Sequence, residues 1–205
     1  MIAQTNDGGD EADVSADALS YSFKPSAIGA PWEFRLGEQG LDWRKGRLKG
    51  TVAYRDIRRV RLSFRPATFQ TQRFLAEIWP MHGPKLEIAS SSWKSMVEQE
   101  RLDRAYRTFV AALHRRLIAS GADPSFENGS PPALYWPGVA VFVGTALGMA
   151  ALAVRALQTG TASAALFIGA FLALFLWQVG VFFKRNRPGR YRPEELPPDV
   201  MPSAS

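Results

Sequence analysis

Four cations crowd into six residues around one glycine: Arg44, Lys45, Arg47 and Lys49 flank Gly46 in the run WRKGRLK. A glycine turn lets long side chains on either side converge, and convergent guanidinium and ammonium groups hold phosphate or carboxylate oxygens. The chemistry implied is anion binding, with a phospholipid headgroup as the nearest candidate, because each Lys or Arg at an anionic membrane surface contributes about 1 kcal/mol. The plainer reading of the same run is a solvated turn. A second basic set, Arg59 and Arg61, lies on one face of the alternating run IRRVRLSFR and extends the cationic surface, while Arg58 points to the other face.

Covalent and acid–base chemistry find little support. The chain has no Cys and only two His, which removes thiolate nucleophiles, disulfides, Cys-based metal sites and a three-histidine cage. Ser90, Ser91 and Ser92 lack the G-x-S-x-G setting, and Gly37 with Gly40 is too sparse for a phosphate loop. Glu98 and Glu100 fall on different sides of a helix and cannot easily share a substrate. No catalytic residue, metal or cofactor is therefore expected. His82 has no partnering carboxylate nearby in sequence and reads as a loop residue, whereas Trp79, Met81 and Trp93 are larger than a turn requires and suit a membrane interface or a partner.

Charge divides the chain. Residues 1–18 hold Asp7, Asp10, Glu11, Asp13 and Asp17 with no Lys or Arg, an acidic arm expected to be disordered. Residues 20–132 hold 19 Lys and Arg against 11 Asp and Glu, a surplus of 8. Nucleic acid is disfavoured as the partner because no nucleic-acid-binding motif accompanies the arginines.

The elements that must position these residues are strands first and one helix after. Trp32–Leu36 and residues 41–43 read as a hairpin, residues 48–54 as the next strand, and Ile57 onward as a half-buried antiparallel strand with Val60, Leu62 and Phe64 on one face. Residues 73–79 and Leu86–Ala89, divided by Pro80, His82, Gly83 and Pro84, supply two more. Leu102, Tyr106, Phe109, Leu113 and Leu117 then recur at three or four residues, an amphipathic helix. Ser95 followed by Glu98 resembles a capping box and Gly121 a terminator, which bounds that helix at about 25 residues. A domain over residues 19–121 results, followed by a linker over 122–133 rich in Pro and Gly.

The rear of the chain is apolar. Residues 134–154 and 156–183 are uncharged throughout. At 1.5 Å per residue, spans over 134–154 and 162–183 reach about 31 and about 33 Å, the thickness of a hydrocarbon core. A short polar turn joins them into a transmembrane hairpin. Lys184, Arg185, Arg187, Arg190 and Arg192 follow the second span, against Arg155 alone in the turn, so the positive-inside rule puts the tail, residues 184–205, in the cytoplasm. A hairpin returns the chain to its starting side, which makes both termini cytoplasmic in an inner membrane. Tyr135 and Trp136 with Lys184 and Arg185 form the belt at that interface. Gly144 and Gly148, and Ala165, Gly169 and Ala173, stand four apart and are expected to let helices approach closely, within the hairpin or with another membrane protein.

Strands closed by one C-terminal amphipathic helix are the order of the pleckstrin-homology-like superfold. The segment GEQGLDWRKGRLKGTVAYRDIRRVRLSF, with Gly40 and Leu41 and then Ile57 and Val60, resembles bacterial membrane proteins that carry such a domain. The resemblance covers residues 19 to about 120. It implies an α+β fold, a partial antiparallel β-barrel of about seven strands capped by the helix, and a non-enzymatic adaptor or scaffold that binds a protein partner. Anionic lipid binding through Arg44, Lys45, Arg47 and Lys49 is the alternative.

Overall fold

The structure, a computed structural model, describes residues 20–65, 72–95 and 98–203. The acidic arm lies outside the described residues. The chain divides into two compact units, one comprising residues up to Glu127 together with those from Arg190 onward, the other Asn128–Gly189.

In the first unit, β1 (Ser20–Phe23), β2 (Trp32–Leu36), β3 (Gly40–Lys45) and β4 (Leu48–Ala53) form a four-stranded antiparallel sheet in chain order. Alternation decides its faces. Tyr21, Phe23, Phe34, Leu36, Leu41 and Val52 are buried, while Ser20, Ser22 and Arg35 are exposed between them. At Gly40 the neighbouring strand comes too close for a side chain, since a Cβ there would lie 2.5 Å from the Val52 carbonyl oxygen.

A short 3-10 turn, Tyr54–Asp56, leads into β5 (Ile57–Phe64), then β6 (Phe74–Pro80) and β7 (Leu86–Ala89), paired antiparallel. Two later strands, β10 (Ser125–Asn128) and β11 (Gly189–Arg190), extend this sheet on the β5 side in the order β11-β10-β5-β6-β7. The segment expected to be a linker thus carries a sheet strand. Between β7 and the helix lies a small hairpin, β8 (Ser91–Trp93) and β9 (Gln99–Arg101).

Helix α1 spans Asp103–Ala119. Its buried stripe includes Tyr106, Phe109, Leu113 and Leu117, and the Tyr21 ring lies 5.5 Å from Phe109 and 6.3 Å from Tyr106, so the helix closes over β1. Each fully buried side chain of this size contributes about 1.5–3 kcal/mol. Gly121, at φ +67°, ends the helix with the Ala122 N–H donating to the Leu117 carbonyl at 3.2 Å, as the sequence predicts. The helix start differs from expectation. The Glu98 N–H does donate to Ser95 Oγ at 3.2 Å, but the Lys94 N–H donates to the Glu98 carbonyl at 3.0 Å, so the capping pattern closes the β8–β9 turn. A Ser side chain caps a turn as readily as a helix.

The tail returns to this unit. Val200 and Met201 are buried in its core, Leu196 packs against it, and Arg107 of α1 donates to the Pro202 carbonyl at 2.7 Å. Residues from Arg190 on are therefore part of the folded domain, and not a separate basic tail as expected from their charge.

The second unit is a pair of antiparallel helices, α2 (Pro132–Gln158) and α3 (Ala162–Arg185), both long and apolar enough to cross a membrane. Their contact follows a heptad. Tyr135, Val139, Phe142, Ala146, Met149, Ala153 and Ala156 are half-buried on α2, facing Ala165, Ile168, Leu172, Phe175, Val179 and Phe182 of α3. Small residues fill the seam near the turn, and aromatic pairs such as Phe142–Phe175, 5.2 Å between ring centres, fill the other end.

Candidate functional site

The β3–β4 hairpin turns through Gly46, at φ +63°. Arg44 stands opposite Lys49 and Lys45 opposite Leu48. Pleating therefore splits the four cations. Arg44 and Lys49 share the outer face of the sheet, Arg47 is exposed at the tip, and Lys45 turns inward. Its Nζ sits 4.1 Å over the Trp32 ring and donates to the Lys85 carbonyl at 3.1 Å. Burial holds the Lys45 ammonium below the usual lysine range, with Glu87 opposing and Lys85 adding to the shift. Lys45 is thus a fastener between this hairpin and the β6–β7 turn. Arg44 lies 3.3 Å from Glu33, and both are well exposed, so the pair contributes at most about 1 kcal/mol.

Register also aligns the loops. Phe23, Trp32, Lys45 and Leu48 are successive cross-strand partners, which puts the β1–β2 loop and the β3–β4 turn at one end of the sheet, and the Lys45–Lys85 bond brings the β6–β7 turn there. That end carries exposed apolar side chains, Ile28 at 80% and Leu48 at 68%, whereas Met81, also exposed, is tied by its N–H to the Asp56 carbonyl at 2.7 Å. Lys24, Arg47, His82 and Lys85 are exposed around them. Ile28 and Lys24 belong to this surface, and no periodicity marks either of them.

Arg59 and Arg61 lie elsewhere. They flank Glu127 of β10, with Arg59 Nε 3.3 Å and Arg61 Nε 3.1 Å from its carboxylate. Arg61 is only 8% exposed. The Trp79 ring collects Arg61, Arg59 and Lys85 at 5.1, 5.5 and 5.6 Å. Lys85 also donates to the buried Glu77 at 2.9 Å and lies 2.6 Å from Glu87, contacts that hold its ammonium above the usual lysine range, Glu87 most strongly. The alternation of β5 places both arginines on one face, but the carboxylate that occupies them, Glu127, comes from β10, a strand distant in sequence.

On the outer face of the four-stranded sheet, two polar rows run across the strands: Ser20, Arg35, Asp42, Thr51 and Ser22, Glu33, Arg44, Lys49. They line an open groove of about 940 Å³, with Leu102 and Ala105 at its margin. Glu33 is engaged by Arg44, and Asp42 accepts a hydrogen bond from the Thr51 hydroxyl. Among the described residues neither Arg35 nor Lys49 has an ion-pair partner.

A buried polar cluster ties the tail to α1. His114 Nδ1 lies 2.7 Å from the Val110 carbonyl, which can only accept, so Nδ1 carries the proton and Nε2 accepts from the Tyr191 hydroxyl at 2.8 Å. Phe126 packs at a tilt against both rings, 5.3 Å from His114 and 5.6 Å from Tyr191. Burial pushes His114 down to about 4 from 6.5, the Val110 bond opposing only in part. With the folded value depressed, the unfolded chain binds the extra proton between these limits, so stability is full above pH 6.5 and falls by about 1.4 kcal/mol per pH unit as pH drops toward 4. Unfolding free energies measured across this window should show that slope, and His114→Gln should flatten it; an unchanged slope would mean that another group titrates.

At the base of the helix pair, the Tyr135 hydroxyl donates to the Phe183 carbonyl at 3.3 Å and its ring meets Trp136 edge-on at 5.4 Å. Trp136 and Lys184 are exposed and Arg185 half-buried. Within the hairpin the small residues do not act together. Ala165 is buried in the seam, whereas a Cβ on Gly144, Gly148 or Gly169 would meet nothing within 4 Å, and Ala173 is exposed. The close approach falls instead at Gly138, where a Cβ would lie 3.3 Å from the Phe183 ring. Comparison of this chain with known protein families, characterised proteins and solved structures finds no match.

Proposed function

We propose that the protein is a membrane-anchored, non-enzymatic binding module of pleckstrin-homology-like type, facing the cytoplasm, that engages anionic headgroups through the loop end of its β-domain. Four strands, then three, then the small β8–β9 hairpin and α1 is the element order that supports the fold reading. Anchoring rests on the length and composition of α2 and α3. Residues on either side of the helix pair, up to Glu127 and from Arg190, belong to one folded unit, which supports both flanks lying on one side of a bilayer. The cations from Lys184 to Arg192 favour the cytoplasmic side.

The observation that carries the headgroup reading is the register that brings the β1–β2 loop, with Ile28 and Lys24, and the β3–β4 turn, with Arg47 and Leu48, to one end of the sheet. Apolar tips inside a cationic collar suit an interface where acyl chains meet anionic phosphates. A second reading, a protein partner held by the adaptor, is favoured by the open groove on the outer sheet face.

Because the chain has no Cys, Leu48→Cys gives a single labelling site in the full-length protein. With an environment-sensitive fluorophore there, nanodiscs containing phosphatidylglycerol should blue-shift the emission relative to phosphatidylcholine alone. Adding Arg47→Glu and Lys49→Glu, or raising salt, should remove the shift. Identical emission in both lipids would exclude the headgroup reading and leave the partner-binding one.

A further inference from the structure

We propose that the acidic segment preceding β1 is an internal ligand of the groove on the outer sheet face, held by Arg35, Arg44 and Lys49, and that it competes with anionic headgroups for the β3–β4 hairpin. The competition rests on the headgroup reading above; the contact itself does not. Residues 1–18 carry five carboxylates and no base, and they lead directly into Ser20, which itself lines the groove opposite Arg35. The groove carries three cations, Arg35, Arg44 and Lys49, against two carboxylates, Glu33, which pairs with Arg44, and Asp42, which accepts from the Thr51 hydroxyl; Arg35 and Lys49 have no ion-pair partner among the described residues. Charge complementarity therefore selects an acidic occupant.

Geometry permits the tethered one. From β1 to β4 is three strand spacings, about 14 Å, while three extended residues from Ser20 back to Asp17 already cover about 10 Å and the full segment about 60 Å. A tether of this length holds the carboxylates at an effective concentration in the millimolar range. Each exposed ion pair is weak and screened by salt. Such an occupant yields to a denser polyanion, which makes it a competitor and not a permanent cover.

Carbodiimide coupling of the full-length protein in phosphatidylcholine nanodiscs, followed by mass spectrometry, tests the contact. The expected product joins Asp13 or Asp17 to Lys49 and is lost in high salt. Coupling only to lysines outside the groove, or none, would overturn the contact even if the Leu48 label still responds to anionic lipid. Replacing the five arm carboxylates by Asn and Gln tests the competition: the Leu48 blue shift should then reach half-maximum at a phosphatidylglycerol fraction roughly twofold lower. An unchanged titration would overturn the competition, and a cross-link that persists where the label never responds to lipid would locate the failure in the headgroup reading alone.

Discussion

Ending the chain at Arg190 should unfold the β-domain or leave it marginal. The deletion removes Val200 and Met201 from the core, together with Tyr191, whose hydroxyl satisfies His114. Val200 is 0% exposed and Met201 3%, and full burial of such side chains contributes about 1.5–3 kcal/mol each. With the His114 bond, the loss is about 5 kcal/mol, a large part of the 5–15 kcal/mol that holds an ordinary domain together. Thermal unfolding of the detergent-solubilised protein should show a midpoint roughly 10–20 °C lower. Val200→Asp, which leaves the length intact, should act in the same direction. A truncated protein that melts with the full-length one would mean that the tail is not part of the fold.

Glu127→Ala should be the most damaging single charge change. It strips the carboxylate from Arg61, which is 8% exposed and cannot turn to solvent, and removing one partner of a buried pair costs about 3–5 kcal/mol. The lower end applies because Glu127 keeps 22% of its side chain exposed. The pair itself need not stabilise. Arg61→Met with Glu127→Leu should recover most of the loss, since an apolar replacement of both partners leaves no stranded charge. Chemical denaturation of the two single variants and the double variant measures this, and a double variant as unstable as the sum of the singles would show that the residues act independently.

Both effects involve residues whose local sequence gave no sign of their importance. Val200 and Met201 stand in PPDVMPS, too short and too proline-rich for any periodicity, and their burial depends on a chain that leaves the domain for 62 residues and returns. Phe126 and Glu127 lie in a stretch whose Pro, Asn and Gly content reads as linker, yet one alternating pair suffices to add a strand once β5 is there to receive it. By contrast, Trp32–Leu36 and Leu86–Ala89 were legible to the residue, and so was the stripe of α1, because alternation and the helical period are local signals. The cationic hairpin was legible as a cluster but not as a site. Pleating separates Lys45 from Arg44, and only the distant Trp32 and Lys85 reveal what Lys45 does. Gly144 and Gly148 carry a spacing that fits close packing, but within the hairpin the seam of α2 follows Tyr135, Val139 and Phe142, and the Phe183 ring takes the space opposite Gly138.

Single-cysteine accessibility in intact cells tests the central claim most directly, because the chain supplies no background thiol. Gly160→Cys, in the turn between α2 and α3, should react with a membrane-impermeant maleimide before lysis. Ser203→Cys, at the end of the folded tail, should react only after the membrane is opened. Labelling of Ser203→Cys in intact cells, or protection of Gly160→Cys there, would contradict a hairpin that keeps the β-domain and its C-terminal strap together on the inner side.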